Sequence, residues 1–191
     1  GAATFGTNGA SGTSGATQDD VAFGSVLDSQ GRIILTGYSR TATAGYRMVI
    51  WRFTSAGVLD TSFASGAGFA ITGTTGIAGG TRDRGAAVAI DSSGRYVVAG
   101  YSANATGGWQ LAVWRYNSDG TADSSWGTGG AKTYGATGLA GATGASEIEF
   151  PTRLIIDRYG RYVIGGYSVD TGGMRQQAIW RVLQTTGELD T

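Results

Sequence analysis

Cysteine and histidine are both absent from this 191-residue chain, proline occurs once, and only 15% of its residues are charged. Each shortage removes a class of chemistry. Without thiols or imidazoles there are no disulfides, no thiolate nucleophile, no histidine acid–base catalyst and none of the common zinc sites. Fourteen basic and fourteen acidic residues cancel, so no net field draws the chain to nucleic acid or to an anionic membrane. No apolar run approaches the ~18 residues of a spanning helix, and no segment has the make-up of a signal peptide. The chain therefore reads as a mature form that does not insert into a membrane. No Walker sequence and no paired base for a serine nucleophile are present, so neither a cofactor nor an enzyme activity is expected.

What is abundant is glycine, at 35 residues, together with Ala, Ser and Thr. Low charge and small polar residues suit an extracellular or cell-surface bacterial protein. An internal repeat accounts for much of the glycine, and repeats decide a fold assignment before any local pattern does. Three segments align without gaps: Val26-Leu-Asp-Ser-Gln-Gly-Arg-Ile-Ile-Leu-Thr-Gly-Tyr-Ser39, Ala89-Ile-Asp-Ser-Ser-Gly-Arg-Tyr-Val-Val-Ala-Gly-Tyr-Ser102 and Ile155-Ile-Asp-Arg-Tyr-Gly-Arg-Tyr-Val-Ile-Gly-Gly-Tyr-Ser168. A Trp-Arg pair follows in each (Trp51-Arg52, Trp114-Arg115, Trp180-Arg181), and then an acidic turn at Asp60, Asp123 and Asp190. Asp28, Asp91 and Asp157 stand 63 and 66 residues apart. The chain thus reads as one repeat domain over residues 1–191, with units of approximately 1–59, 60–122 and 123–191.

Each unit predicts a four-stranded sheet. In Asp-x-x-Gly-Arg the Asp side chain caps a hairpin turn and the Gly supplies the positive φ that closes it. Apolar β-branched runs on either side read as buried strands, a short fourth strand is expected near Phe69–Thr72 and Ala131–Tyr134, and no segment has a capped helical period. The fold class is all-β: three tandem four-stranded, blade-like repeats of β-propeller type, with a β-trefoil or β-prism as the alternative.

Leu59-Asp-Thr-Ser-Phe63, Asp-x-x-Gly-Arg, Gly-Tyr-Ser and the Trp-Arg-aromatic strand together resemble the delta-60 repeat of large bacterial surface proteins. The resemblance covers all three units. It implies propeller-like blades and an exported protein, and carries over no activity. Trp51, Trp114 and Trp180 depart from it, standing where it implies a smaller residue.

The repeat also sorts the charges. Asp28, Asp91 and Asp157, the acids at 60, 123 and 190, and the set Asp20, Asp83 and Glu149, each eight residues before the hairpin Asp, all recur. Recurrence favours turn caps and ion pairs with Arg52, Arg115 and Arg181 over a ring of carboxylates holding a cation, because a hard cation needs several oxygens within about 2.6 Å. Trp51, Trp114 and Trp180 read as packing between blades. Asn104-Ala-Thr106 matches a glycosylation triplet, and Asn117–Asp123 faintly matches a calcium loop lacking its terminal Glu. The close acid pairs Asp19/Asp20 and Glu147/Glu149 fall at one repeat position.

Two features point to function. Glycine recurs at every third position before each hairpin unit, as at Gly6, Gly9, Gly12 and Gly15, or Gly135, Gly138, Gly141 and Gly144. These stretches read either as plain Gly/Ala/Thr connections or as extended segments packed into a bundle. The chain also begins and ends inside one motif, Thr4-Phe5-Gly6 and Leu189-Asp190-Thr191, so Phe5 and Asp190 are candidate assembly residues. The expected function is a structural, self-assembling extracellular repeat protein, a subunit of a homo-oligomeric ring or filament joined through chain ends and Gly-rich loops. The alternative is a carbohydrate-binding or adhesin module that takes glycans on Trp109, Tyr46 or Tyr159.

Overall fold

The computed structural model describes residues 19–40, 45–73, 77–135, 139–142 and 146–190. Among the described residues, eleven strands build three antiparallel up-and-down sheets. Sheet 1 holds β1 (Asp20–Leu27), β2 (Ile33–Arg40), β3 (Tyr46–Phe53) and β4 (Phe69–Ile71), paired in that order. Sheet 2 holds β5 (Gly79–Ile90), β6 (Tyr96–Asn104), β7 (Trp109–Tyr116) and β8 (Ala131–Tyr134). Sheet 3 shows three strands among the described residues, β9 (Glu149–Ile156), β10 (Tyr162–Val169) and β11 (Arg175–Val182). A parallel bridge, Tyr46 to Arg82, joins the first two sheets edge to edge. No helix of the described residues is long and apolar enough to cross a membrane.

The hairpin motif forms as its residues dictate. Asp28 Oδ1 accepts the main-chain N–H groups of Gln30 and Arg32, both at 2.9 Å, while Arg32 Nε donates to Oδ2 at 2.6 Å. The same three bonds recur at Asp91 and at Asp157. Gly31, Gly94 and Gly160 have φ of 72°, 75° and 80°, a region where other residues are strained. The glycine of Gly-Tyr-Ser has a different reason. A Cβ on Gly37, Gly100 or Gly166 would lie 1.8, 2.0 and 2.0 Å from the carbonyl oxygens of Val21, Arg84 and Phe150. All three sit where the first strand of their sheet bulges against the second.

Alternation then gives each sheet two apolar faces. Ile34, Met48 and Ile50 of sheet 1 pack on Val88, Tyr96, Val98, Ala112 and Trp114 of sheet 2. The opposite face of sheet 2, with Val97, Ala99, Leu111 and Val113, packs on Leu154, Tyr162, Ile164 and Trp180 of sheet 3. Val49, Trp51 and Phe53 lie in a third cluster with Ile33, Leu35, Leu59 and, from β4, Phe69 and Ile71. The repeated tryptophans are thus buried, Trp114 and Trp180 between sheets. Phe63 and Trp126, which close the Leu-Asp-Thr-Ser-Phe motif and its second copy, are buried plugs against Tyr96 and Tyr162 of the following sheet.

Candidate functional site

The sheets present two chemically different ends. At the hairpin end, Arg52 and Arg115 each bond an acid after their own third strand and a carbonyl beside the next sheet. Arg52 Nε donates to Asp60 Oδ2 at 2.7 Å, and its Nη1 donates to the main-chain carbonyl of Ser118 in sheet 2 at 2.7 Å. Arg115 pairs with Asp123 at 2.8 Å and reaches the carbonyl of Gln184 in sheet 3 at 2.6 Å. Both guanidiniums lie over the aromatic plugs, Arg52 over Phe63 and Arg115 over Trp126. Arg181 pairs with Asp190 at 2.6 Å and, among the described residues, reaches no main-chain carbonyl. Asp190, a candidate for assembly, is therefore in the first instance an ion-pair partner of Arg181 and Arg161.

Burial pushes the carboxyls of Asp28, Asp91, Asp123 and Asp157 up, but hydrogen bonds from their own turns and arginines outweigh it and hold all four below the ordinary range. Asp60 is held low chiefly by the Ser62 hydroxyl. These acids stay ionised and paired. The weak motifs resolve as turn chemistry as well. Asn104 Oδ1 accepts from Thr106 and Gly108 N–H groups, and Asp119 Oδ1 from Thr121 N–H.

In the third acidic set Asp20 is exposed, whereas Asp83 and Glu149 are buried and behave in the opposite way. Asp83 faces Ser102 across the β5–β6 ladder and Glu149 faces Ser168 across β9–β10. Glu149 Oε1 accepts the N–H of Leu139 at 2.9 Å, and Ser168 Oγ accepts that of Ala140 at 2.8 Å. Ser102 Oγ likewise accepts the N–H of Ala78 at 3.0 Å. These buried pairs therefore clasp the end of the glycine-rich connection as it enters the next sheet. Glu147, also buried, accepts from Asn104 and Gln110. Burial raises all three carboxyls. Among the described residues no group of three acids is placed to hold a metal ion. Most of the three-residue glycine series, and Phe5 with it, lies outside the described residues.

At this same end an aromatic belt crosses all three sheets. Tyr38 and Tyr46 meet edge to face at 4.8 Å in sheet 1, and Tyr101 and Trp109 at 5.1 Å in sheet 2. Tyr101 touches Phe150 at 4.3 Å, and Phe150 stacks on Tyr167 at 5.2 Å in sheet 3. Arg84 joins the first two groups, its guanidinium 4.1 Å from the Tyr46 ring centre and 4.6 Å from that of Tyr38. Arg175 caps Tyr167 at 4.8 Å. A cleft of ≈ 640 Å³ opens between Trp109, Phe150, Tyr167, Asp170 and Arg175, a size suited to a small ligand.

Tyr46 and Trp109 are thus brought together, and both are half-buried rather than freely exposed. Tyr159 is 64% exposed, but on the hairpin end, under Arg158 and Arg161. Sequence reasoning missed Arg82, Arg84, Phe150 and Arg175. Tyr46, Trp109 and Arg175 occupy one position of the repeat, as the first residues of β3, β7 and β11. The Gly-Tyr-Ser tyrosines were the available signal, since they recur on strands opposite those positions.

Two segments, residues 29–63 and 92–125, match the family model of a domain of unknown function, DUF5122, described as a β-propeller. No match to the chain is found among curated proteins. A solved structure of a fucose lectin from Kordia zhangzhouensis in complex with methyl-fucoside is similar over 87% of this chain and 96% of that one, at 18% identity and a TM-score of 0.45. The fold is all-β and, through the family model, of β-propeller type.

Proposed function

We propose that the chain is a non-catalytic extracellular module that assembles blade upon blade, the open face of sheet 3 taking the first sheet of a second copy. One observation carries this. Ile155, Val163 and Ile179 occupy the positions of Ala89, Val97 and Val113, which sheet 3 covers, and of Val26, Ile34 and Ile50, which sheet 2 covers. In sheet 3 the outer two of these, Ile155 and Ile179, stand 62% and 64% exposed. Fully covering a side chain of this kind contributes about 1.5–3 kcal/mol. Arg181 points the same way: Arg52 and Arg115 each bond a carbonyl of the next sheet, and Ser55 of a second copy is the residue equivalent to Ser118. Six blades from two copies would close a ring, and open repetition would give a filament. The low charge content and the resemblance to the delta-60 repeat support an exported setting.

The test is native mass by light scattering over a range of concentrations, for the chain and for Ile179→Asp. A dimer or larger species lost in the variant is expected. A monomer at all concentrations overturns assembly between copies. A second reading, a carbohydrate-binding surface module, rests on the aromatic belt and its cleft.

A further inference from the structure

The arginines of the belt narrow the ligand, if the carbohydrate-binding reading on which this inference rests is right. Arg82 and Arg84, two residues apart on β5, project from one face of the strand, and Asp83 projects from the other. Among the described residues neither arginine has a carboxylate within ion-pair distance, in contrast to the repeat arginines of the hairpin end. The Nε of Arg84 is buried and has no hydrogen-bond partner. The Arg82 guanidinium lies 5.4 Å from the Trp109 ring centre and that of Arg84 5.8 Å from it, so both charges lie against the Trp109 that helps to line the cleft, within reach of a group projecting past its ring, although Arg175 is the arginine lining the cleft itself. Asp83, on the opposite face of the strand, forms no ion pair with either among the described residues. Asp170, the carboxylate on the cleft, already accepts from the N–H groups of Gly172 and Met174 and from Gln176.

Unpaired guanidiniums beside an aromatic wall suit a ligand with both an apolar face and an anionic group. Aromatic rings take the C–H face of a sugar ring, and guanidinium is the side chain best matched to a carboxylate. We propose that this cleft binds an acidic saccharide, a uronic-acid unit lying on Trp109, Phe150 and Tyr167 with its carboxylate held by Arg82 and Arg84. No bond in the ligand is made or broken.

The experiment is calorimetric titration of the whole chain with a tetramer of galacturonic acid and with its carboxyl-reduced, neutral counterpart, repeated with Arg82→Gln. Arg82 is exposed, so the variant keeps the fold, which its melting curve checks. The acidic tetramer is expected to bind at least about tenfold more tightly than the neutral one, and the variant to lose about tenfold for the acidic tetramer alone. Equal binding of the two tetramers overturns the acidic assignment and leaves a carbohydrate site standing. Binding of neither overturns both.

Discussion

At the hairpin end of the sheets every repeat arginine has a carboxylate between 2.6 and 2.8 Å away. At the belt end Arg82, Arg84 and Arg175 have rings instead, and the buried acids Asp83, Glu147 and Glu149 have hydroxyls, amides and main-chain N–H groups where they have partners at all. Opposite charges are closely matched at the hairpin end, whereas at the belt end the ion pair among the described residues is the exposed, longer contact of Arg40 with Asp19 at 3.4 Å. The difference shows which positions the fold demands. The hairpin end repeats its paired Asp and Arg residues unchanged, whereas the first position of the third strand runs Tyr46, Trp109, Arg175. Invariance marks the scaffold, and variation within a repeated position marks the surface free to specialise.

Breaking the matched end should have the largest effect. Arg115→Ala removes a 3%-exposed guanidinium bound to Asp123, Tyr162 and the Gln184 carbonyl. It is expected to cost about 3–5 kcal/mol in urea unfolding, since the carboxylate it leaves is buried. A cost under about 1 kcal/mol would erase the distinction between the ends. Next comes Gly100→Ala, whose Cβ would meet the Arg84 carbonyl oxygen at 2.0 Å. A loss of about 1–3 kcal/mol is expected from such overpacking, read as a lowered melting temperature.

Acidity separates two sets of acids by sign. Asp28, Asp91, Asp123 and Asp157 have lowered folded pKa values, so their stabilisation is present above the ordinary 3.8 and is lost as pH falls through the folded values. Asp83, Glu147 and Glu149 have raised ones, so the folded state binds more protons and their contribution weakens as pH rises above the ordinary 3.8 and 4.5. Melting temperatures across this range should therefore fall less steeply toward neutral pH in Asp83→Asn/Glu147→Gln/Glu149→Gln than in the parent. An unchanged slope would mean that these acids are ionised and solvated. The smallest effect is expected from Arg181→Ala: 42% exposed and joined to Asp190 alone among the described acids, it should cost at most about 1 kcal/mol. Comparing it with Arg115→Ala isolates the contribution of the next sheet.

Much of the scaffold was legible because its chemistry is local. Asp-x-x-Gly-Arg contains its own donors, acceptors and positive-φ residue within five positions. The pairing of Arg52 with Asp60 was legible from recurrence, although its reach to Ser118 was not, since a main-chain carbonyl leaves no trace in sequence. The belt was read only in part. Trp109 and Tyr46 stood out as aromatics, but Arg84 sits between them through a contact spanning two sheets. Its role depends on a missing partner, which no local pattern records. The buried state of Asp83 and Glu149 was hidden for a related reason. An acid that recurs looks like a turn cap until its strand partner, Ser102 or Ser168, and the loop that it holds are placed beside it.

The link between successive sheets runs from a guanidinium to a peptide carbonyl, at Ser118 in one case and Gln184 in the other. Such an acceptor is supplied by any residue, so this one bond between units tolerates any side chain at the acceptor position. Units could then be duplicated, deleted or exchanged in frame with the joint preserved each time. A lineage carrying this joint is free to vary its number of repeats by recombination while selection acts separately on the surface each repeat displays.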